Sequence, residues 1–103
     1  MKQLEKREIE IEEQAADYAQ SKGILLLKCA IPGRRNYPDR MALCPNAYTF
    51  FIEFKRPGEP ARKAQLQNHR MLRKLGYSVH VCDNLEEAKS IIDKELQIAT
   101  NNF

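Results

Sequence analysis

Along the chain the apolar positions switch between a helical and an alternating period, and the switches mark out successive elements. From Leu4 to Lys22 the residues Leu4, Ile11, Ala15, Tyr18 and Ala19 recur at helical spacing, and Gly23 is placed to end that helix. Ile24 to Ile31 is short, rich in Leu and Ile, and bounded by Gly23 and Pro32-Gly33, which predicts a largely buried strand. Pro32 to Pro38 is a polar, basic loop that delivers the chain to Asp39. A short strand from Arg40 to Leu43, a Pro-Asn turn within Cys44 to Ala47 and a clear strand from Tyr48 to Lys55 together predict a hairpin.

Alternation along that last strand puts Phe50, Ile52 and Phe54 on one side, as core, and Phe51, Glu53 and Lys55 on the other. Arg56 to Pro60 is a turn, and Pro60 suits the opening of a helix that runs to about Leu75 and closes at Gly76, with Leu66, Leu72 and Leu75 packing inward. Tyr77 to Cys82 is a further strand through Val79 and Val81. Asp83 with Glu86 has the form of a capping box for a final helix, Leu85 to about Ile98, beyond which Ala99 to Phe103 is expected to fray. The order α-β-β-β-α-β-α predicts an α/β fold, a mixed central sheet flanked by helices, in one domain spanning residues 1–103 with its core from about 4 to 98.

Length and composition agree with that reading. A chain of 103 residues, 43% hydrophobic and 30% charged, supports one packed core and no second. No apolar run approaches the roughly 20 residues that span a bilayer, and the charged opening segment lacks a signal-peptide stretch, so no membrane partner and a cytoplasmic location are expected. Cys29, Cys44 and Cys82 stand far apart without a CxxC pair, so they are read as reduced thiols. The formal charge is +3, but its distribution is more telling than its size. Acidic residues crowd the first and last helices, while Lys28, Arg34, Arg35, Arg40, Lys55, Arg56, Arg62, Lys63, Arg70, Arg73 and Lys74 form a basic belt in the middle, suited to a polyanion.

The candidate chemistry lies inside that belt. Asp39 follows a loop, and Glu53 and Lys55 project from one face of a strand otherwise made of Phe and Ile. A buried Glu and Lys could be a structural ion pair, yet such pairs often stabilise less than apolar residues would. Asp39 and Glu53 instead suit Mg²⁺ or Mn²⁺, which prefer carboxylate, carbonyl and water, and the main-chain carbonyl of Phe54 lies between the polar side chains as a further ligand. Lys55 would then hold the attacking water for cleavage of a phosphodiester. No glycine-rich phosphate loop is present, so no nucleotide cofactor is expected. The rival readings are a non-catalytic DNA-binding module or inactive relative, and a structural protein whose polar trio is only an ion network.

Pro38-Asp39 followed, fourteen residues after Asp39, by Glu53-Phe54-Lys55 resembles the motif of the PD-(D/E)XK nucleases. The wider pattern is similar to the VRR-NUC branch, and most of all to its short stand-alone bacteriophage members: Glu8 and Glu12 in the opening helix, Gly23 before a strand, Pro38-Asp39-Arg40, Phe51 to Gly58, and Gln65 in the next helix. The resemblance implies a restriction-endonuclease-like core, a divalent-metal endonuclease acting on DNA, and a homodimer able to cut branched substrates such as four-way (Holliday) junctions. It assigns Asp39 and Glu53 as metal ligands, Lys55 as the catalytic lysine and Gln65 as a glutamine near the site. It also assigns a metal-binding glutamate to the first helix, for which Glu12 is preferred and Glu8 is the fallback. Among basic residues, Arg34, Arg35, Arg40, Arg56, Arg62 and Lys63 lie next to the site and are the candidates for phosphate contacts. His69 and His80 match no metal-binding spacing and are read as surface or packing residues, with His69, one turn after Gln65, the one able to reach DNA.

Overall fold

Four short segments with β-branched, Leu and Phe side chains pair into one sheet: β1 (Leu25–Lys28), β2 (Arg40–Leu43), β3 (Thr49–Phe54) and β4 (Ser78–Cys82), in that spatial order. The computed structural model describes residues 2–30, 32–33, 37–59 and 63–101, leaving aside the side chains of 2–8, 63 and 64. β1, β2 and β3 are antiparallel neighbours, whereas β3 and β4 run parallel, with Phe50 opposite Ser78 and Phe54 opposite Cys82. Three helices complete the chain: α1 (Lys2–Ser21), α2 (Lys63–Lys74) and α3 (Leu85–Asn101). A parallel pair needs a crossover, and α2 supplies it. The mixed sheet flanked by helices is the architecture the apolar pattern predicts.

The core lies on the face covered by α1 and α3, which pack on each other. Phe50, Ile52 and Phe54 turn to it together with Ala15, Ala19, Ile24, Leu26, Ala42, Cys82, Ala88 and Ile92. α1 and α2 end in the same way. Gly23 (φ 85°) and Gly76 (φ 101°) adopt the left-handed conformation that other residues resist, and the following amides reach back to Ala19 and Leu72 to satisfy the last carbonyls.

Several boundaries differ from those expected. β1 is shorter than Ile24 to Ile31 and is buried on one side only: Leu26 is 5% exposed, but Leu25 and Leu27 are 52% and 42% exposed, because α2 packs on β4 at the other edge of the sheet. Leu66 on α2 and Leu75 just beyond its end face outward and Leu72 is half-buried; among the described side chains of α2 the buried ones are Gln65 and His69. The cap of α3 is Asn84 rather than Asp83. Asn84 Oδ1 accepts the Glu87 amide at 2.8 Å, so the box is shifted one residue. α3 also continues to Asn101, into the stretch expected to fray, because Ala99 is buried and its carbonyl accepts a hydrogen bond from Asn46 Nδ2 at 3.1 Å. The expected start of α2 at Pro60 lies outside the described residues.

Candidate active site

The parity of β3 decides what stands where. With Phe50, Ile52 and Phe54 committed to the core, Glu53 must face α2, and Lys55, just past the strand end, turns the same way. Glu53 is 2% exposed and Lys55 8%, and a lone buried charge of either sign is costly. α2 answers both with Gln65. Its Nε2 donates to Glu53 Oε2 at 2.6 Å, and its Oε1 accepts from Lys55 Nζ at 2.5 Å, while Nζ and Glu53 Oε2 stand 3.7 Å apart. One amide side chain therefore fixes the carboxylate and the ammonium in a single chain of hydrogen bonds.

Asp39 arrives from the start of β2. Its carboxylate Oδ2 accepts the Phe54 amide at 2.8 Å, which ties the start of β2 to the end of β3, and its carbonyl accepts the Cys29 amide at 2.9 Å. Burial pushes the Asp39 carboxyl above the ordinary aspartate range; the negative charge of Glu12 adds to the rise, while the Phe54 amide and the cations Lys55 and Arg40 work against it. Asp39, Glu53, Phe54, Lys55, Arg56, Glu59 and Gln65 line one cleft of about 280 Å³.

These donors suit a hard divalent cation. The side chains converging on the cleft offer carboxylate oxygens, and no three Asp, Glu, His or Cys side chains among the described residues close a cage by themselves. Mg²⁺ is commonly held by one or two carboxylates and keeps several waters, which a cleft lined by Asp39 and Glu53 would allow. Burial, and after it the charge of Glu12, disfavours the Asp39 anion, and a cation beside it would favour that anion. The neighbouring thiol of Cys82, 3% exposed and pushed up by burial to about 12, stays protonated and offers no thiolate.

Two comparisons bear on this arrangement. The phage protein "Putative nuclease p44" of Acyrthosiphon pisum secondary endosymbiont phage 1 is 37% identical over 86 residues, which cover 84% of this chain and 91% of that one. A solved VRR_NUC domain superposes with a TM-score of 0.79 at 25% identity, covering 84% of this chain and 95% of the domain. The chain belongs to the VRR-NUC family. No family model matches it. The VRR-NUC fold is a nuclease fold, and the polar chain from Glu53 through Gln65 to Lys55 lies within it.

Around that centre, the VRR-NUC chain distributes its charges differently from the expectation in one respect. Arg40, expected among the phosphate contacts, is 8% exposed and turned to the opposite face. It pairs with Ile52 across the ladder, so it shares the core side of the sheet, where Nε donates to Glu12 Oε1 at 2.7 Å and an η nitrogen donates to the Leu26 carbonyl at 3.0 Å. Arg40 thus holds Glu12 on α1 at a place where its charge is felt by Asp39. Arg56 remains partly exposed beside the cleft and faces Glu59 at 3.6 Å. Arg34, Arg35 and Arg62 lie outside the described residues, as do the side chains of Lys63 and Glu8.

Both histidines are packing residues, one of the two placements expected of them. His69 is 0% exposed behind Glu53 and cannot reach DNA. His80 Nε2 meets Glu95 Oε2 at 2.8 Å, and Tyr48 donates to Glu95 Oε1, also at 2.8 Å, which gives the 2%-exposed Glu95 two partners in the core. A signal for Glu95 exists in its position on the stripe Ala88, Ile92, Glu95, Ala99. No described helix is long and apolar enough to cross a membrane.

Proposed function

We propose that this chain is a divalent-metal-dependent DNA endonuclease that hydrolyses phosphodiester bonds, with Mg²⁺ or Mn²⁺ as cofactor. The observation that carries the reading is the pair of carboxylates, Asp39 and Glu53, on one cleft with a lysine that Gln65 holds in place. Asp39, Glu53 and the Phe54 carbonyl would hold the cation, with Glu12 of α1 adding negative charge that reaches Asp39. When bound, it supplies Lewis-acid charge neutralisation to the phosphate under attack.

The chain's own groups do the rest. Lys55 Nζ, anchored to Gln65 at 2.5 Å, keeps further protons to donate, and it orients the attacking water and offsets charge that develops on the phosphate oxygens. Glu53, gripped through Oε2, presents its carboxylate in one orientation, so little reorganisation is needed as the phosphate is displaced. Asp39, held by the Phe54 amide, couples that geometry to the backbone of two strands. Arg56, with Arg34, Arg35, Arg62 and Lys63 from the flanking segments, is positioned in the sequence to hold backbone phosphates, which sets affinity and makes it salt-dependent.

The substrate class we infer from the resemblance to stand-alone phage VRR-NUC proteins is branched DNA such as four-way junctions, cut by a homodimer. A junction presents symmetric strands, and a two-fold dimer with one site in each subunit makes paired cuts most simply. The test is incubation with labelled four-way junction and matching linear duplex in Mg²⁺ or Mn²⁺, with sedimentation of the same sample. Paired cuts in the junction by a dimer support the reading. A monomer at micromolar concentration removes the dimer, equal rates on both DNAs remove junction selectivity, and binding without cutting leaves a DNA-binding module.

A further inference from the structure

His69 has a place in the site that neither its sequence spacing nor the metal chemistry assigns. It stands one helical turn beyond Gln65 on α2, so the two side chains leave the helix on the same face, toward Glu53. It is 0% exposed, and among the described residues neither ring nitrogen has a hydrogen-bond partner. Buried polar groups are seldom left in that state, and an apolar residue at a pure packing position avoids the penalty altogether. Glu53 Oε1 lies 3.9 Å from His69 Nε2, and Gln65 holds the other oxygen of that carboxylate.

We propose that His69 is a positioning residue for Glu53: its Nε2–H holds Oε1 as Gln65 holds Oε2, so that two successive turns of α2 fix both oxygens of the metal-binding carboxylate. The proposal rests on the metal-dependent reading given above. The separation exceeds an ordinary N–H···O bond by about 1 Å, within reach of a small rotation of the imidazole or the carboxylate. Burial, with Arg73 and Lys55 nearby, favours the neutral ring, which has one donor to give. Lys55, Arg73 and Glu53 are the charged groups that face it. A neutral donor suits Glu53, because it orients the carboxylate without cancelling the charge that a cation needs. Partners of this kind, hydrogen-bonded to metal ligands, typically change metal affinity by about 10–100-fold when removed.

The experiment is calorimetric titration of Mn²⁺ into the whole protein without DNA, for wild type, Asp39→Asn, His69→Leu and His69→Gln, with thermal midpoints measured on the same samples. Leu fills the site without a donor, and Gln carries an amide at the depth of Nε2. The expected result is that His69→Leu is as stable as wild type or more so, yet binds Mn²⁺ about 10–100-fold more weakly. His69→Gln should bind within a few-fold of wild type.

Equal Mn²⁺ affinity in His69→Leu and wild type overturns the positioning role while leaving the metal site standing, provided that Asp39→Asn has lost binding. A wild type that binds no Mn²⁺ overturns the metal reading and this proposal with it. Should His69→Leu fail to fold, nitrogen-15 imidazole spectra of wild type decide. An Nε2–H tautomer whose resonance moves on Mg²⁺ addition supports the proposal, and an Nδ1–H tautomer, or no response, overturns it.

Discussion

Replacing Gln65 by methionine keeps the length of the side chain and removes its hydrogen bonds to Glu53 and Lys55. The residue is 6% exposed and links Glu53 Oε2 at 2.6 Å to Lys55 Nζ at 2.5 Å, so water cannot readily take over either contact. Each buried hydrogen bond to a charged partner contributes about 1.5–3 kcal/mol. The Glu53–Lys55 pair, now 3.7 Å apart, can close and recover part of that, which leaves a net loss of about 2 kcal/mol. In a domain of this size such a loss lowers Tm by roughly 10 °C. The functional effect is separable, because Lys55 loses the acceptor that aims it. A displacement of about 1 Å at a catalytic group lowers kcat by about 10²-fold. Affinity for DNA should change little, because Gln65 offers almost no surface. The assay is single-turnover cleavage beside equilibrium DNA binding, at a temperature where circular dichroism shows the variant folded. A Gln65→Met protein that is destabilised as calculated but cuts at the wild-type rate would refute the aiming role. One that cuts normally per bound complex but binds DNA weakly would place Gln65 in recognition instead.

Asp39→Asn should stabilise the metal-free protein. The folded carboxyl lies above its ordinary value of 3.8, so its favourable contribution is full below that value and is lost as pH rises through the raised one. At neutral pH the substitution should therefore gain about 1 kcal/mol in urea midpoints read in EDTA, with the gain vanishing below the ordinary aspartate range; a gain independent of pH contradicts the cause assigned. Arg40→Met, which breaks the tie to Glu12 and Leu26, should cost about 2–3 kcal/mol and leave the salt dependence of DNA binding unchanged. Arg56→Ala should do the reverse, leaving stability nearly intact and flattening the slope of log affinity against log salt by about 1. Glu95→Ala strips partners from Tyr48 and His80 and should cost about 2–3 kcal/mol, read by chemical denaturation, while the folded fraction cuts DNA at the wild-type rate.

The elements that could be read from the sequence are those whose side chains obey one period. Along β3 strict alternation separates Phe50, Ile52 and Phe54 from Glu53 and Lys55, so both the core and the polar centre could be located before any fold was known. Gly23 and Gly76 mark helix ends because few other residues accept their backbone conformation. What remained hidden depends on which layer covers which face. Arg40 belongs to the core side only because the antiparallel register sets it opposite Ile52, and no local pattern records that register. The stripe that α2 buries runs through Gln65, His69 and Leu72, whereas the apolar Leu66 and Leu75 are exposed, so hydrophobicity alone does not mark the inner face. The polar site itself reversed the usual sign of the helix's inner face. Leu25 and Leu27 looked like core for the complementary reason, since nothing in β1 states how far along the sheet α2 extends.

The central claim is that Asp39 and Glu53 hold a divalent cation while Lys55, fixed by Gln65, serves the attack on DNA. Its most direct test follows cleavage of labelled DNA by wild type and by Lys55→Ala, each shown to be folded and to bind the DNA, with Mg²⁺ or Mn²⁺ present and then with EDTA. The account predicts cutting by wild type with metal, none in EDTA, and a loss of at least about 10²-fold in the variant despite binding. Cutting that survives EDTA, or a Lys55→Ala protein as fast as wild type, would contradict it.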